Sequence, residues 1–154
     1  MIKKRNKKAQ FYLIAAIVII GAFLGLVSVL NYSERGDNPE VYYLVSELNI
    51  EGENVLDYEA ATGASVFEEF AKNYSYYVGE EREIHFIVGE SGNLDNFWYD
   101  GEIRNPVPYQ EAGGNVSIEV HDAWHTFELQ PGQNFYFVMV DTYKDQEYFV
   151  TNIE

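Results

Sequence analysis

Apolar residues follow three different patterns along this chain: an unbroken run, then a helical period, then a two-residue period. Residues 11–30 form twenty consecutive uncharged positions, which as a helix would extend ~30 Å, the thickness of the hydrocarbon layer of a bilayer. Residues 38–77 place apolar side chains every three or four positions, and residues 82–153 largely alternate them. This order predicts a transmembrane helix, then shorter helices, then strands.

The first helix after the apolar run is predicted to begin at Asn38-Pro39-Glu40, with Asn38 as the cap and Pro39 in the first turn. Its apolar face consists of residues at helical spacing, namely Val41, Leu44, Val45 and Leu48. The segments 51–53 and 62–64 each contain glycine and are predicted to interrupt the helical region.

A second helix is predicted over residues 65–77. Ser65 is expected to cap it, and Glu68 three positions later completes the pattern of a capping box. One face of this helix is apolar and comprises Phe67, Phe70, Ala71 and Tyr74. Gly79 is expected to end the helix.

Strands are predicted from Arg82 onward, over residues 82–89, 93–100, 116–120, 124–129, 134–142 and 147–153, with a loop at 105–108. The segment 134–142 is apolar on both faces, which is typical of a central strand. A tight turn at Asp122-Ala123 predicts a hairpin whose apolar sides match. Its opposed pairs are Val120 with His125, Ile118 with Phe127 and Val116 with Leu129.

The predicted fold is α+β, with a single N-terminal transmembrane helix followed by a short helical region packed on one side of an antiparallel β-meander. We divide the chain into a basic cytoplasmic leader (1–9), the transmembrane helix (10–31), a juxtamembrane linker (32–39) and an extracytoplasmic acidic α+β domain (40–154). The five basic residues of the leader hold the N-terminus in the cytoplasm. A cleaved secretory signal is the alternative, but its apolar core is only ~7–15 residues long.

Charge limits the partners of the outer domain. Residues 31–154 contain all twenty-five acidic residues and five basic ones, a formal net charge of −20. Nucleic-acid binding requires the opposite sign to neutralise phosphates, and docking onto anionic lipid headgroups is disfavoured for the same reason. The chain contains no cysteine, which excludes disulfides, thiol chemistry and cysteine-ligated zinc.

The sequence Lys7-Lys8-Ala9-Gln10 directly precedes the apolar run. A short basic leader, a small residue and Gln ahead of an apolar helix resemble the class III, type IV pilin-like signal of archaeal pilins and archaellins. The resemblance covers about the first thirty residues and implies cleavage between Ala9 and Gln10, with the helix retained. Many type IV pilins carry Glu at the fifth mature position, where this chain has Ile14. Together with Pro39, this departure favours a pilin-like anchor on a surface protein over a major pilin.

Within the predicted membrane helix, Gly21 and Gly25 have the Gly-x-x-x-Gly spacing that lets two helices approach closely, and Ser28 falls near the same face. This pattern predicts self-association, pilin-like assembly or packing against another membrane helix. The alternative is that glycine is simply frequent in membrane helices.

The sequence offers few candidates for chemistry, and we expect neither catalysis, nor a cofactor, nor a metal site. His121 and His125 are four residues apart, but the predicted hairpin places them on opposite faces, and His85 is distant in sequence. The acidic residues Asp95, Asp100 and Glu102 cluster in one region without the spacing of a calcium loop.

Two further features concern ligands and modification. Trp98 and Tyr99, followed by Asp100, are candidate sugar-stacking aromatics, although aromatic residues in strands usually fill a core. Three Asn-x-Ser sequons on the predicted outer side, at Asn31, Asn73 and Asn115, are candidate glycosylation sites.

Two classes of function follow from these observations. The first is a membrane-anchored, pilin-like cell-surface protein with a structural or interaction role and no catalysis. The second is a signal-anchored ectodomain that binds a ligand such as a glycan or cell-wall material.

Overall fold

The computed structural model describes residues 39–153, which fold into helices followed by strands. The elements are α1 (Pro39–Thr62), α2 (Phe67–Tyr77), β1 (Arg82–Glu90), β2 (Asn93–Asp100), β3 (Ile103–Pro106), β4 (Tyr109–Ala112), β5 (Asn115–Val120), β6 (Ala123–Glu128), β7 (Asn134–Tyr143) and β8 (Gln146–Thr151). The α+β class is therefore confirmed. The predicted leader and transmembrane helix lie outside the described residues, and neither helix within residues 39–153 meets the length and hydropathy needed to cross a membrane.

All strand pairs are antiparallel, but the strands form two sheets rather than the single meander that the sequence predicts. Five strands are ordered β3-β2-β1-β7-β8, and three are ordered β4-β5-β6. Strands β1 and β7 pair with each other from Arg82 opposite Asp141 to Gly89 opposite Asn134. Both strands are buried along most of their length, so each needs neighbours on both edges and cover on both faces.

The five-stranded sheet lies between the two helices and the three-stranded sheet. Because side chains alternate along a strand, Ile84 and Phe86 of β1 face the helices, whereas Ile87 faces the smaller sheet. The smaller sheet buries Val116, Ile118 and Phe127 against the second face. The helical cover on one face is confirmed, and the smaller sheet covers the other face. The three-layer arrangement creates two apolar cores around one central sheet.

Helix α1 continues through Gly52, where the sequence predicts an interruption. Gly52 is buried, and a methyl group at its Cα would overlap the ring of Phe135. That ring also packs edge-on against Phe67, with 5.5 Å between ring centroids. The glycine is therefore explained by close approach of α1 to the sheet and not by a break in the helix.

We expect Gly52→Ala to lower the free energy of unfolding by about 1–2 kcal/mol, because overpacking against Phe135 outweighs the better helix propensity of alanine. Urea denaturation of the full chain in detergent solution measures this. In a Phe135→Leu background the same change should be neutral or stabilising, and Ser46→Ala on the exposed face of α1 is the matched control. A stabilised Gly52→Ala single variant would contradict the packing explanation.

The start of α2 differs from the predicted capping box at Ser65 and Glu68. The helix begins at Phe67, and no side chain of its own N-terminus caps it. Instead, the backbone N–H groups of Val66 and Phe67 donate to Oε1 of Glu59 on α1, at 2.7 Å for Phe67. A carboxylate at a helix N-terminus also interacts favourably with the helix dipole. A cap from a neighbouring helix replaces the local one.

The β5–β6 hairpin forms as predicted, but with a different turn. His121 and Asp122 are its central residues, with φ of 47° and 62°, so Val120 pairs with Ala123, Ile118 with His125 and Val116 with Phe127. The predicted turn at Asp122-Ala123 and its pairs are wrong. A two-residue type I′ turn needs positive φ at both central positions, and Asp and His tolerate positive φ better than Ala does. The two-residue shift in pairing leaves the same side chains on the apolar face.

Candidate metal centre

The candidate metal centre lies where the β5–β6 turn meets the beginning of β1. Glu83 and His85 are two residues apart on β1, so their side chains leave the sheet on the same face, towards the three-stranded sheet. The β5–β6 turn brings His121 to the same place. One ligand atom from each of these three residues lies within 4.8 Å of the other two. Within residues 39–153 this is the one such group of histidine and acidic side chains that could hold a metal ion.

The carboxylate of Glu83 lies between the two imidazoles. Its Oε1 contacts Nε2 of His85, and its Oε2 lies 3.5 Å from Nε2 of His121. The second ring nitrogen of His121, Nδ1, is 3.0 Å from Oε1 of Glu147 on β8. The arrangement is therefore a chain of alternating imidazoles and carboxylates that ends at the exposed side of β8.

Burial decreases along this chain of groups. The side chain of His85 is 6 % exposed, that of Glu83 24 % and that of His121 37 %. Nδ1 of His85 has no hydrogen-bond partner, and Nε2 contacts only the Glu83 carboxylate. A buried imidazole in this position is incompletely satisfied by the protein itself.

The electrostatic environment favours an ionised Glu83. Burial alone raises its pKa, but hydrogen bonding and charge from His85, with a further contribution from His121, lower the pKa below its ordinary value. The carboxylate is thus held in the form that accepts hydrogen bonds and binds cations.

The three ligands open onto a cavity of about 290 Å³. Trp98, Val107 and Val120 contribute its apolar walls, and Glu119 contributes a further carboxylate. The ring of His85 lies 5.7 Å from that of Trp98, its cross-strand neighbour on β2. The side of the site towards His85 is therefore buried and partly apolar, while the side towards His121 is open to solvent.

His125 lies close to the cluster but outside the three converging ligands. Its ring is tilted against Phe149 with 5.2 Å between centroids, and the ring of His121 contacts the same phenylalanine edge-on at 6.4 Å. Burial, followed by the charge of His85, lowers the pKa of His125. Its Nε2 is buried and unpaired, which places a second unsatisfied imidazole near His85.

The sequence reasoning did not bring Glu83, His85 and His121 together. The alternation along β1 does place Glu83 and His85 on one face, and this was the available signal. It did not reveal His121, because the position of that residue depends on the type of turn and on how the smaller sheet docks. His121 converges with His85 and Glu83, and not with His125, its nearer neighbour in sequence.

The candidate sugar-stacking residues do not form one platform. Trp98 faces the smaller sheet, whereas Tyr99 packs among the residues that face the helices. Both reach a cleft of about 720 Å³ at the end of β2, which Arg82 and Glu83 also line. The Tyr99 hydroxyl donates to the backbone carbonyl of Glu68 at 3.3 Å. Burial raises the pKa of Tyr99, and the negative charge of Glu68 raises it further.

The acidic residues that cluster in sequence are separately engaged. Asp95 pairs with Arg104, whose Nη2 lies 2.5 Å from Oδ2, and Glu102 lies 3.9 Å from Lys72. Asp100 is exposed at the end of β2. Asp95 and Glu102 therefore have different ion-pair partners.

Among the sequons, Asn73 on α2 and Asn115 at the start of β5 are both exposed. The remaining predicted positions lie outside the described residues, namely Ala9, Gln10, Gly21, Gly25, Ser28 and Asn31. Comparison of the chain with protein-family models, with curated proteins and with solved structures finds no match.

Proposed function

We propose that this protein is a membrane-anchored, pilin-like cell-surface protein whose acidic α+β domain has a structural or interaction role without catalysis. The observation that carries the proposal is the twenty-residue uncharged run behind five basic residues. A run of this length suits a bilayer span, and the charge asymmetry orients it with the N-terminus in the cytoplasm. The outer domain then faces the extracellular side.

The charge of the outer domain is consistent with this role. A net charge of −20 over residues 31–154 repels anionic headgroups and keeps the domain in solution beyond the membrane surface. Two apolar cores give it a stable body without disulfides. Such a domain presents a fixed surface to a partner that approaches from outside the cell.

The resemblance of Lys7-Lys8-Ala9-Gln10 to a class III signal leads to a specific expected mass. In a host that has the pilin-signal peptidase, the mature chain recovered from membranes should begin at Gln10, because that peptidase cuts on the cytoplasmic side of the helix. N-terminal mass spectrometry measures the start directly. A host without the peptidase and an Ala9→Trp variant serve as controls, and both should retain the leader.

Retention of residues 1–9 in the competent host would remove the pilin-like part of the proposal and leave an ordinary signal anchor. Protease treatment of intact cells tests the remaining part, since residues 39–153 should be degraded from outside. Protection of this domain in intact cells, with degradation after lysis, would overturn the proposed orientation. Recovery in sheared filament fractions would distinguish assembly from simple anchoring.

The second candidate is a signal-anchored ectodomain that binds a glycan or cell-wall material. The cleft at the end of β2 favours it, because Trp98 and Tyr99 meet Arg82 and Glu83 there. A glycan array probed with the full chain in detergent tests this candidate. Binding that Trp98→Leu abolishes would support the ectodomain, whereas an array without signal would leave the first proposal in place.

A further inference from the structure

We propose that Glu83, His85 and His121 bind one Zn²⁺ ion at the junction of β1 and the β5–β6 turn. The inference is independent of the membrane anchor, because every ligand belongs to the folded outer domain. The three ligand atoms already lie within 4.8 Å of one another. Two imidazole nitrogens and one carboxylate oxygen are a donor set that Zn²⁺ accepts readily.

One donor separation already suits an ion of this size, and the other needs a small movement of Glu83. Donor atoms that coordinate one tetrahedral ion at ~2.1 Å lie ~3.4 Å from one another. Oε2 of Glu83 and Nε2 of His121 are 3.5 Å apart, close to that separation. Nε2 of His85 lies against the other oxygen of the same carboxylate, so a small rotation of Glu83 admits an ion between them.

A second observation points to a missing ligand at the same place. Nδ1 of the buried His85 lacks a hydrogen-bond partner, which is uncommon for a buried polar atom, and Nε2 contacts only the Glu83 carboxylate. A metal ion that binds between this imidazole and Glu83 is coordinated by both groups. The imidazole is also buried on a central strand, with its ring 5.7 Å from that of Trp98, so we expect little loss of side-chain freedom on binding.

Glu147 completes the surroundings of the site. Its Oε1 lies 3.0 Å from Nδ1 of His121, the ring nitrogen that faces away from Glu83. A carboxylate that accepts a hydrogen bond from the second nitrogen of a metal-bound histidine fixes the tautomer and the ring orientation. Together, Glu83 and Glu147 supply two negative charges beside a divalent cation.

The geometry leaves one coordination position for water or for an exogenous ligand. Three protein ligands and an open fourth position characterise zinc sites that interact with small molecules, whereas purely structural sites are closed by four protein ligands. The cavity of about 290 Å³ lies on this side, with Glu119 on its wall. The zinc ion is therefore accessible from solvent through the cavity.

Isothermal titration calorimetry with ZnCl₂ tests the proposal on the full chain in detergent, in a buffer free of chelating anions. We expect one ion per chain, with affinity at least ~10-fold weaker in Glu83→Gln and in His121→Asn. Asn is chosen because it tolerates the positive φ of position 121. Glu90→Gln is the matched control, since it removes the same charge from the exposed far end of β1 and should bind as the parent does.

Histidine NMR provides a readout that does not depend on stability. Zinc should shift the ring resonances of His85 and His121, and near-ultraviolet circular dichroism verifies that each variant is folded. The absence of heat and of resonance shifts with the parent chain would overturn the proposal. Undiminished binding in folded Glu83→Gln and His121→Asn would overturn it as well, because the ion would then bind elsewhere.

Discussion

Replacing Asp141 with alanine is expected to lower the free energy of unfolding by about 3 kcal/mol, because it removes one partner of a buried ion pair. Asp141 on β7 lies directly opposite Arg82 on β1, and Oδ1 accepts from Nε of Arg82 at 2.8 Å. The two side chains are only 4 % and 12 % exposed. The guanidinium also donates to the carbonyl of Val78, which joins the end of α2 to the sheet.

An exposed pair of the same chemistry supplies the control. Asp95→Ala removes one of the two carboxylate partners of Arg104, but the side chains of Asp95 and Arg104 are 58 % and 32 % exposed, so we expect a loss below ~1 kcal/mol. Urea denaturation of the full chain in detergent compares the two variants. A double replacement, Arg82→Met with Asp141→Leu, should recover most of the stability, because two apolar residues leave no buried unpaired charge between β1 and β7.

The outcome decides how the β1–β7 pairing is fixed. If Asp141→Ala were no more destabilising than Asp95→Ala, the apolar faces of β1 and β7 alone would hold the register. A large loss with recovery in the double variant would instead identify the Arg82 charge, which among the described residues keeps only the exposed carboxylate of Glu40 as an ion-pair partner, as the source of the destabilisation.

Local pattern predicted the strands better than it predicted their neighbours. The strands predicted over residues 82–89 and 93–100 match β1 and β2 closely in their bounds, although β1 is buried on both faces and does not alternate. The pairing of β1 with β7 joins residues more than forty positions apart, and no local period encodes it. Apolar residues on both faces of a strand indicate that it lies inside a sheet, but they do not identify the strand with which it pairs.

Departures from local rules have tertiary causes. Gly52 resembles a helix break, but α1 continues through it because Phe135 occupies the space of a side chain. Ser65 resembles a cap, but Glu59 from α1 supplies the acceptor. Likewise the candidate zinc ligands come from a strand and a distant turn, so their meeting depends on how the two sheets pack.

The second large effect is expected at Phe127, which holds the smaller sheet against the larger one. Phe127 on β6 is 1 % exposed, and its ring stacks on that of Tyr136 on β7, with 5.0 Å between centroids and 13° between planes. The Tyr136 hydroxyl donates to the carbonyl of Glu128 at 2.5 Å, so it ties β7 to the end of β6. Phe127→Ala should lower the free energy of unfolding by about 3–5 kcal/mol, from lost burial and the cavity left behind.

Hydrogen exchange distinguishes local loosening of the smaller sheet from uniform destabilisation. Phe127→Leu keeps an apolar side chain but removes the ring. If Phe127 holds the smaller sheet against the larger one, in this variant the amides of β4, β5 and β6 should lose more protection from exchange than those of β1 and β7. Trp124→Ala on the same strand is the control, because Trp124 is 53 % exposed and its removal leaves no enclosed cavity like that of Phe127. Equal effects of Phe127→Ala and Trp124→Ala on stability would contradict this role. His121 lies on the same hairpin, so selective loosening would also identify the element whose docking brings His121 to Glu83 and His85.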